Sequence, residues 1–202
     1  MAWDIIPNET VIEKTAKALT GNGIKVIVVE NGQKAKEKAL ALIQKNASVM
    51  TATSTTSDQI GLSKAIDESE NFVSLRKKIT SLPEHEQRAQ ERRINSAPDY
   101  VIGSVHAITQ DGHVLIASNS GSQLPSYVYS AKNVIWVAGA QKIVKNTEEG
   151  IKRIYEYTLK LETERMKKAY GIPSNVSKIL IINKEVFKDR ITLILIKEVL
   201  GF

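Results

Sequence analysis

Two short polar segments carry the residue types best suited to holding an anion. Thr51-Ala52-Thr53-Ser54-Thr55-Thr56-Ser57 follows an apolar run and leads into a stretch with helical spacing. Hydroxyls and free backbone N–H groups at a strand-to-helix junction favour negative charge. The same hydroxyls would serve equally well to cap the next helix. The loop has no glycine pair and no following lysine, so it is not a Walker phosphate loop. In Ser118-Asn119-Ser120-Gly121-Ser122-Gln123, small side chains and one glycine let the backbone approach a ligand closely. Ser122 has the alternative of acting as a helix cap. Thr53, Ser54, Thr55, Thr56, Asn119, Ser120, Gly121 and Ser122 are thus candidate ligand contacts, on loops expected to lie together.

Positive charge for such a site has two sources. Arg88 and Arg92 are four residues apart, so they share a helix face and could clamp a carboxylate or phosphate. Glu84 and Glu91 could instead pair with them in a solvated network. Lys142 follows the apolar run 134–138 and occupies a strand end, where open α/β sheets bind ligands. His106 lies one alternation step from Ser104 and would face the same cleft, which makes it the acid–base candidate beside a plain structural role. His85 sits on a charged helix and is expected to be exposed. An Asp111-Gly112 hairpin turn would pair His113 with Gln110 and His106 with Ala117, so the two histidines would not face each other. With no HxH or HExxH spacing, no metal site is expected. There is likewise no nucleophile elbow, no Ser/His/Asp order signature and no dinucleotide glycine fingerprint, and no cofactor is expected.

The elements that must position these residues alternate in kind. Helical spacing covers residues 8–19, with Thr10 and Glu13 as a capping box, and then 33–45, 58–66, 83–96 and 147–169. Strands are read at 24–29, 48–52, 72–75, 100–107, 114–117, 134–138, 178–182 and 191–196. The helix at 83–96 has few apolar positions and is expected at the surface or bordering a cleft. Strand–helix alternation at both ends, with a hairpin between, predicts an α/β fold: a mostly parallel sheet covered by helices, carrying an antiparallel portion. The 202 residues show no repeat and no linker, and are read as one domain, 1–202.

Composition narrows the function further. Hydrophobic residues make up 42% and charged residues 25%, which is ordinary for a globular chain. The absence of cysteine excludes disulfides, thiolate metal sites and a cysteine nucleophile. No leader and no apolar run near ~20 residues is visible, which predicts a cytoplasmic protein without a membrane span. The net charge of +6 raises nucleic acid as a partner, but the basic residues are interleaved with acids, as in residues 162–168, and aromatics are only 5%. Solvated helix faces and attraction for small anionic metabolites are the favoured reading, with no nucleic-acid partner.

Several segments together resemble the lactate-utilisation (LUD) domain family. They are Gly103-Ser104-Val105-His106-Ala107-Ile108-Thr109-Gln110-Asp111-Gly112, then residues 116–123, 134–144 and 161–171, and finally the closing stretch from Arg190-Ile191-Thr192 to Leu200-Gly201-Phe202. The resemblance runs through nearly the whole chain in the same order. It implies a fold like that of the ribose-phosphate isomerase and CoA-transferase group. It also implies a part in oxidising L-lactate to pyruvate, often within a multi-protein system. Some members of such systems hold iron–sulfur clusters, so this cysteine-free chain resembles the small stand-alone member, with iron–sulfur proteins as partners. Many relatives have Gly-Gly-Ser where Thr53-Ser54-Thr55 stand here. The resemblance transfers no catalytic residue. Three functions follow: a lactate-utilisation component binding an organic acid, an enzyme acting on a sugar phosphate or acyl-CoA, and a basic interaction module.

Overall fold

The computed structural model describes residues 3–202, apart from the side chain of Arg88. Its first half runs α1 (Glu9–Gly21), β1 (Lys25–Val29), α2 (Gly32–Leu42), β2 (Ser48–Thr51), α3 (Thr55–Gln59), α4 (Leu62–Glu68), β3 (Val73–Ser74), α5 (Leu75–Thr80), α6 (Glu84–Ile94) and β4 (Tyr100–Gly103). There follow β5 (Ala107–Thr109), β6 (Val114–Ser118), β7 (Asn133–Gly139), β8 (Ile143–Val144), α7 (Thr147–Arg153), α8 (Leu159–Tyr170), β9 (Lys178–Ile182) and β10 (Ile191–Ile196).

Six strands form a sheet in the order β1-β10-β7-β4-β2-β3, and every neighbouring pair in it is parallel. The α/β reading of the sequence is the fold formed, with its antiparallel portion set apart as a second sheet, β8-β5-β6-β9. There β6 runs antiparallel to both β5 and β9, while β8 joins β5 in parallel.

The central strands show why the large sheet holds. Along β10, Ile191, Leu193 and Leu195 enter one core cluster and Ile194 and Ile196 the other; along β7, Trp136 and Val137 divide the same way. Alternate side chains leave opposite faces of a strand, so an unbroken apolar run supplies both layers. Each fully buried aliphatic side chain stabilises by about 1.5–3 kcal/mol.

Local signals mislead in five places. Asn8, not Thr10, caps α1, its side-chain oxygen accepting from Val11 N–H at 3.0 Å. The expected capping box of Thr10 and Glu13 does not form, because Thr10 already lies inside the first turn. The single helix read at 58–66 is two, since the chain bends at Gly61 between α3 and α4. The strand read at 100–107 ends at Gly103: β4 pairs with β2 and β7, whereas β5 pairs with β6 and β8, so the chain leaves one sheet for the other through Ser104, Val105 and His106. Finally, Ile108 pairs with Val114 and Ala107 with Leu115, one residue out of register with a two-residue Asp111-Gly112 turn. Thr109 N–H donates to His113 O at 2.9 Å, and Gly112 supplies the positive φ of 86° that the longer turn requires. The long helix read at 147–169 is interrupted by one π-type turn at Ile154–Thr158, which joins α7 to α8. Among the described residues, no helix is long and apolar enough to cross a membrane.

A buried ion pair closes the molecule at the amino end of β10. Arg190 Nη1 lies 2.7 Å from Glu185 Oε2, each side chain only 7% exposed, and the guanidinium also donates to the carbonyls of Ser126, Tyr127 and Ala131. Removing one member of such a pair leaves the other charge buried without a partner. Arg190→Met is therefore expected to destabilise the fold by about 3–5 kcal/mol in urea unfolding. An unchanged midpoint would show that the pair adds nothing to stability.

Candidate functional site

Parallel strands put all their carboxyl ends on one edge of a sheet, and ligands of open α/β sheets bind there. Here that edge meets the smaller sheet, and a cavity of about 340 Å³ opens between them. The loop after β2 contributes Thr53, Ser54, Thr55 and Thr56, the sheet crossing contributes Ser104 and His106, and the turn after β7 contributes Lys142. Asn119, Ser120 and Ser122 arrive from the end of β6, so the two hydroxyl-rich loops do share one cavity. Glu162, Arg165 and Met166 of α8 line it as well, together with Phe202.

Lys142 is a buried polar group in the cavity wall. It is 1% exposed, and its Nζ lies 3.1 Å from each of Thr56 Oγ1, Ser104 Oγ and Val105 O. Burial, and after it the charge of Arg153, holds its pKa well below the usual lysine value. Thr56 is fixed in turn by α3, whose amino end is capped by Ser54 Oγ accepting from Ser57 N–H at 3.2 Å. In the first loop, then, Ser54 does the capping while Thr56 points its hydroxyl at the lysine.

The second loop is largely satisfied by itself. Ser118 Oγ lies 3.0 Å from Gln123 Oε1 and accepts from Gly121 N–H at 2.9 Å, while Ser120 Oγ accepts from Ser122 N–H at 3.3 Å. Ser122 caps no helix, because Pro125 holds the position before the turn at Ser126–Ser130. Gly121 does not line the cavity; it packs against the aliphatic chain of Lys178, which a Cβ would approach to 2.8 Å.

His106 faces the cavity as a neutral ring. Its Nδ1 accepts from Ala117 N–H at 3.1 Å, which leaves the ring proton on Nε2. Burial, then the charges of Lys142 and Arg153, push its pKa down to about 3. Fully buried Arg153 stands behind it, donating to His106 O at 2.6 Å and to Thr158 Oγ1 at 3.1 Å across the π-type turn. Burial also lowers the pKa of Arg153 to about 10. The Tyr127 hydroxyl covers the last residue of β4 so closely that a Cβ at Gly103 would come within 1.9 Å of it.

Of the arginine pair read from the sequence, only the Arg92 side chain is described. Arg92 is exposed on α6, none of whose described residues lines this cavity; the side chain of Arg88 lies outside the described residues. Among the described residues, the arginine that lines the cavity is Arg165, bound in bidentate fashion to Glu162 at 2.7 Å through both Nε and Nη2. In sequence these two belong to the interleaved charges of residues 162–168, which read as a solvated helix face. Their i, i+3 spacing was the available signal. Among the described residues, no group of three or more histidines or carboxylates is placed to hold a metal ion.

His106 makes stability depend on pH in a definite direction. Between about pH 6.5 and 3 the unfolded chain takes up a proton on this histidine and the folded protein does not. Its contribution to stability is thus full above pH 6.5 and lost as pH falls toward 3. His106→Gln, which keeps an acceptor for Ala117 N–H, is expected to flatten the acid side of the stability curve by up to one proton. Identical pH slopes in urea unfolding of the two proteins would contradict the assignment.

The chain matches the LUD domain family over residues 12–196. Among solved structures it is similar to a DUF162 family protein from Deinococcus radiodurans, with a TM-score of 0.52 and 13% identity over 94% of this chain and 99% of that one. That likeness extends over the whole fold. A second similarity, to eIF2B beta from Chaetomium thermophilum, has a TM-score of 0.38 and 19% identity, covering 58% of this chain and 41% of that one. Comparison with curated proteins finds no match.

Proposed function

Because this chain belongs to the LUD domain family, we propose that its cavity binds a small organic acid of the lactate and pyruvate type, in a cytoplasmic system that oxidises L-lactate. The family carries a role related to lactate utilisation; the ligand and the place in the system are the proposal. The observation that supports it is the charge lining the cavity. Arg165 brings its guanidinium to it from α8, the Ser104 hydroxyl and the His106 ring line it in front of buried Lys142, and the carboxylate of Glu162 is already taken by Arg165. A carboxylate ligand would gain charge-assisted hydrogen bonds there without meeting an unpaired negative charge.

Oxidation of L-lactate to pyruvate releases two electrons and two protons. With no cysteine in the chain, thiolate-held clusters that accept those electrons belong to partner proteins. The size of the cavity, about 340 Å³, suits a molecule at the small end of the ligand range.

Calorimetric titration with L-lactate, pyruvate and ribose 5-phosphate tests the reading. The two carboxylic acids are expected to bind, and Arg165→Gln to weaken them about tenfold or more, since one charge-assisted bond is worth roughly 1.5–3 kcal/mol. The thermal midpoint should move little, because Arg165 stands on a half-exposed helix face. Binding of the sugar phosphate alone, or equal affinities in both proteins, would overturn it.

A further inference from the structure

We propose that Ser104 is a nucleophile activated by Lys142, and that the cavity performs acyl transfer on a small ester or thioester. The inference rests on the reading of this cavity as the ligand site, and goes beyond binding to chemistry. Its basis is a buried amine nitrogen 3.1 Å from a hydroxyl that opens to the cavity. A neutral amine has two hydrogens and one lone pair, and Lys142 Nζ has three oxygen neighbours at 3.1 Å. Val105 O can only accept. The Thr56 hydroxyl directs its own hydrogen to Leu200 O at 3.3 Å, so toward the lysine it accepts as well. Both N–H bonds of the neutral amine are then used, and its lone pair faces Ser104 Oγ, whose hydrogen can turn to it from Thr56 Oγ1 at 3.3 Å. Burial beside Arg153 favours that neutral form of the amine.

Exposure separates the roles of the three side chains. Lys142 and Thr56 are each 1% exposed, whereas Ser104 is only partly buried and opens to the cavity. His106, two residues on, supplies what a developing oxyanion needs. Its Nδ1 is occupied by Ala117 N–H, its proton is on Nε2, and it lines the same cavity as a neutral donor.

The chemistry balances with water as the only co-reactant. Ser104 Oγ attacks the carbonyl carbon while its proton passes to Lys142 Nζ. The bond to the alkoxide or thiolate leaving group breaks, and that group takes the proton from Lys142. Water then attacks the Ser104 ester, giving up a proton through Lys142 to the serine oxygen, and the free acid departs.

Labelling with a fluorophosphonate, mapped by mass spectrometry on the full chain, reads the nucleophile directly. A single adduct on Ser104 is expected, absent in Ser104→Ala, and formed about a hundredfold more slowly in Lys142→Met at neutral pH. In the wild type, which needs no variant to fold, labelling should fall as pH drops through the titration of the lysine. No adduct on Ser104, or labelling that is independent of both pH and Lys142, would overturn the proposal. Lactate binding without an adduct would end this inference and leave the proposed ligand standing; an adduct without lactate binding would do the reverse.

Discussion

A primary amine removed from water is expensive, and Lys142 is 1% exposed. The fold meets that constraint by bringing three oxygens to the nitrogen from separate stretches of chain. Thr56 comes from α3, held by its Ser54 cap, and Ser104 and Val105 come from the passage between the two sheets. The carboxyl-terminal residues complete the enclosure. Gln141 Nε2 donates to Leu200 O at 2.9 Å, and Gly201 N–H donates to Gln59 Oε1 at 2.7 Å. Gly201 has a φ of 62°, and a Cβ there would lie 2.2 Å from Thr56 Oγ1. Only a glycine lets the tail cross at that distance.

The passage between the sheets is the second half of the same constraint. Three residues leave β4 and enter β5, and each has a different task. Ser104 turns its hydroxyl to the lysine, Val105 is buried and offers its carbonyl, and His106 turns its ring to the cavity. Arg153 holds the His106 carbonyl from behind, with its guanidinium 5.2 Å from the centre of the Tyr157 ring. The π-type turn at Ile154–Thr158 lets Arg153 and Thr158 meet five residues apart. Inserting one residue in a helix rotates everything after it, and α8 thereby presents Glu162 and Arg165 to the cavity.

Charge at the site is local and has little to do with the net charge of +6. Most basic residues are exposed and screened by solvent. Lys142 and Arg153 are different: both are buried, the charge of Arg153 acts on Lys142, and both act on His106. Burial, and after it this repulsion, keeps His106 neutral and disfavours the charge on Lys142, so a hydrogen-bond donor and a basic nitrogen line one cavity at neutral pH.

The sequence alone determined the layers. Unbroken β-branched runs such as residues 191–196 can be buried only on both faces, and amphipathic spacing such as that of α1 can only cover them. The strand-end loops with their hydroxyls, Ser104 beside His106, and the position of Lys142 were legible for the same reason: each depends on neighbours close in the chain. What tertiary structure decided depends on residues far apart. The break after Gly103, invisible in a continuous apolar stretch, exists because β4 and β5 find partners in different sheets. That Arg165 lines the cavity was likewise decided by packing: α8, following the π-type turn, brings it there, while none of the described residues of α6 does so. Spacing places side chains on one face of a helix, but only the contacts of the whole chain determine what that face looks at.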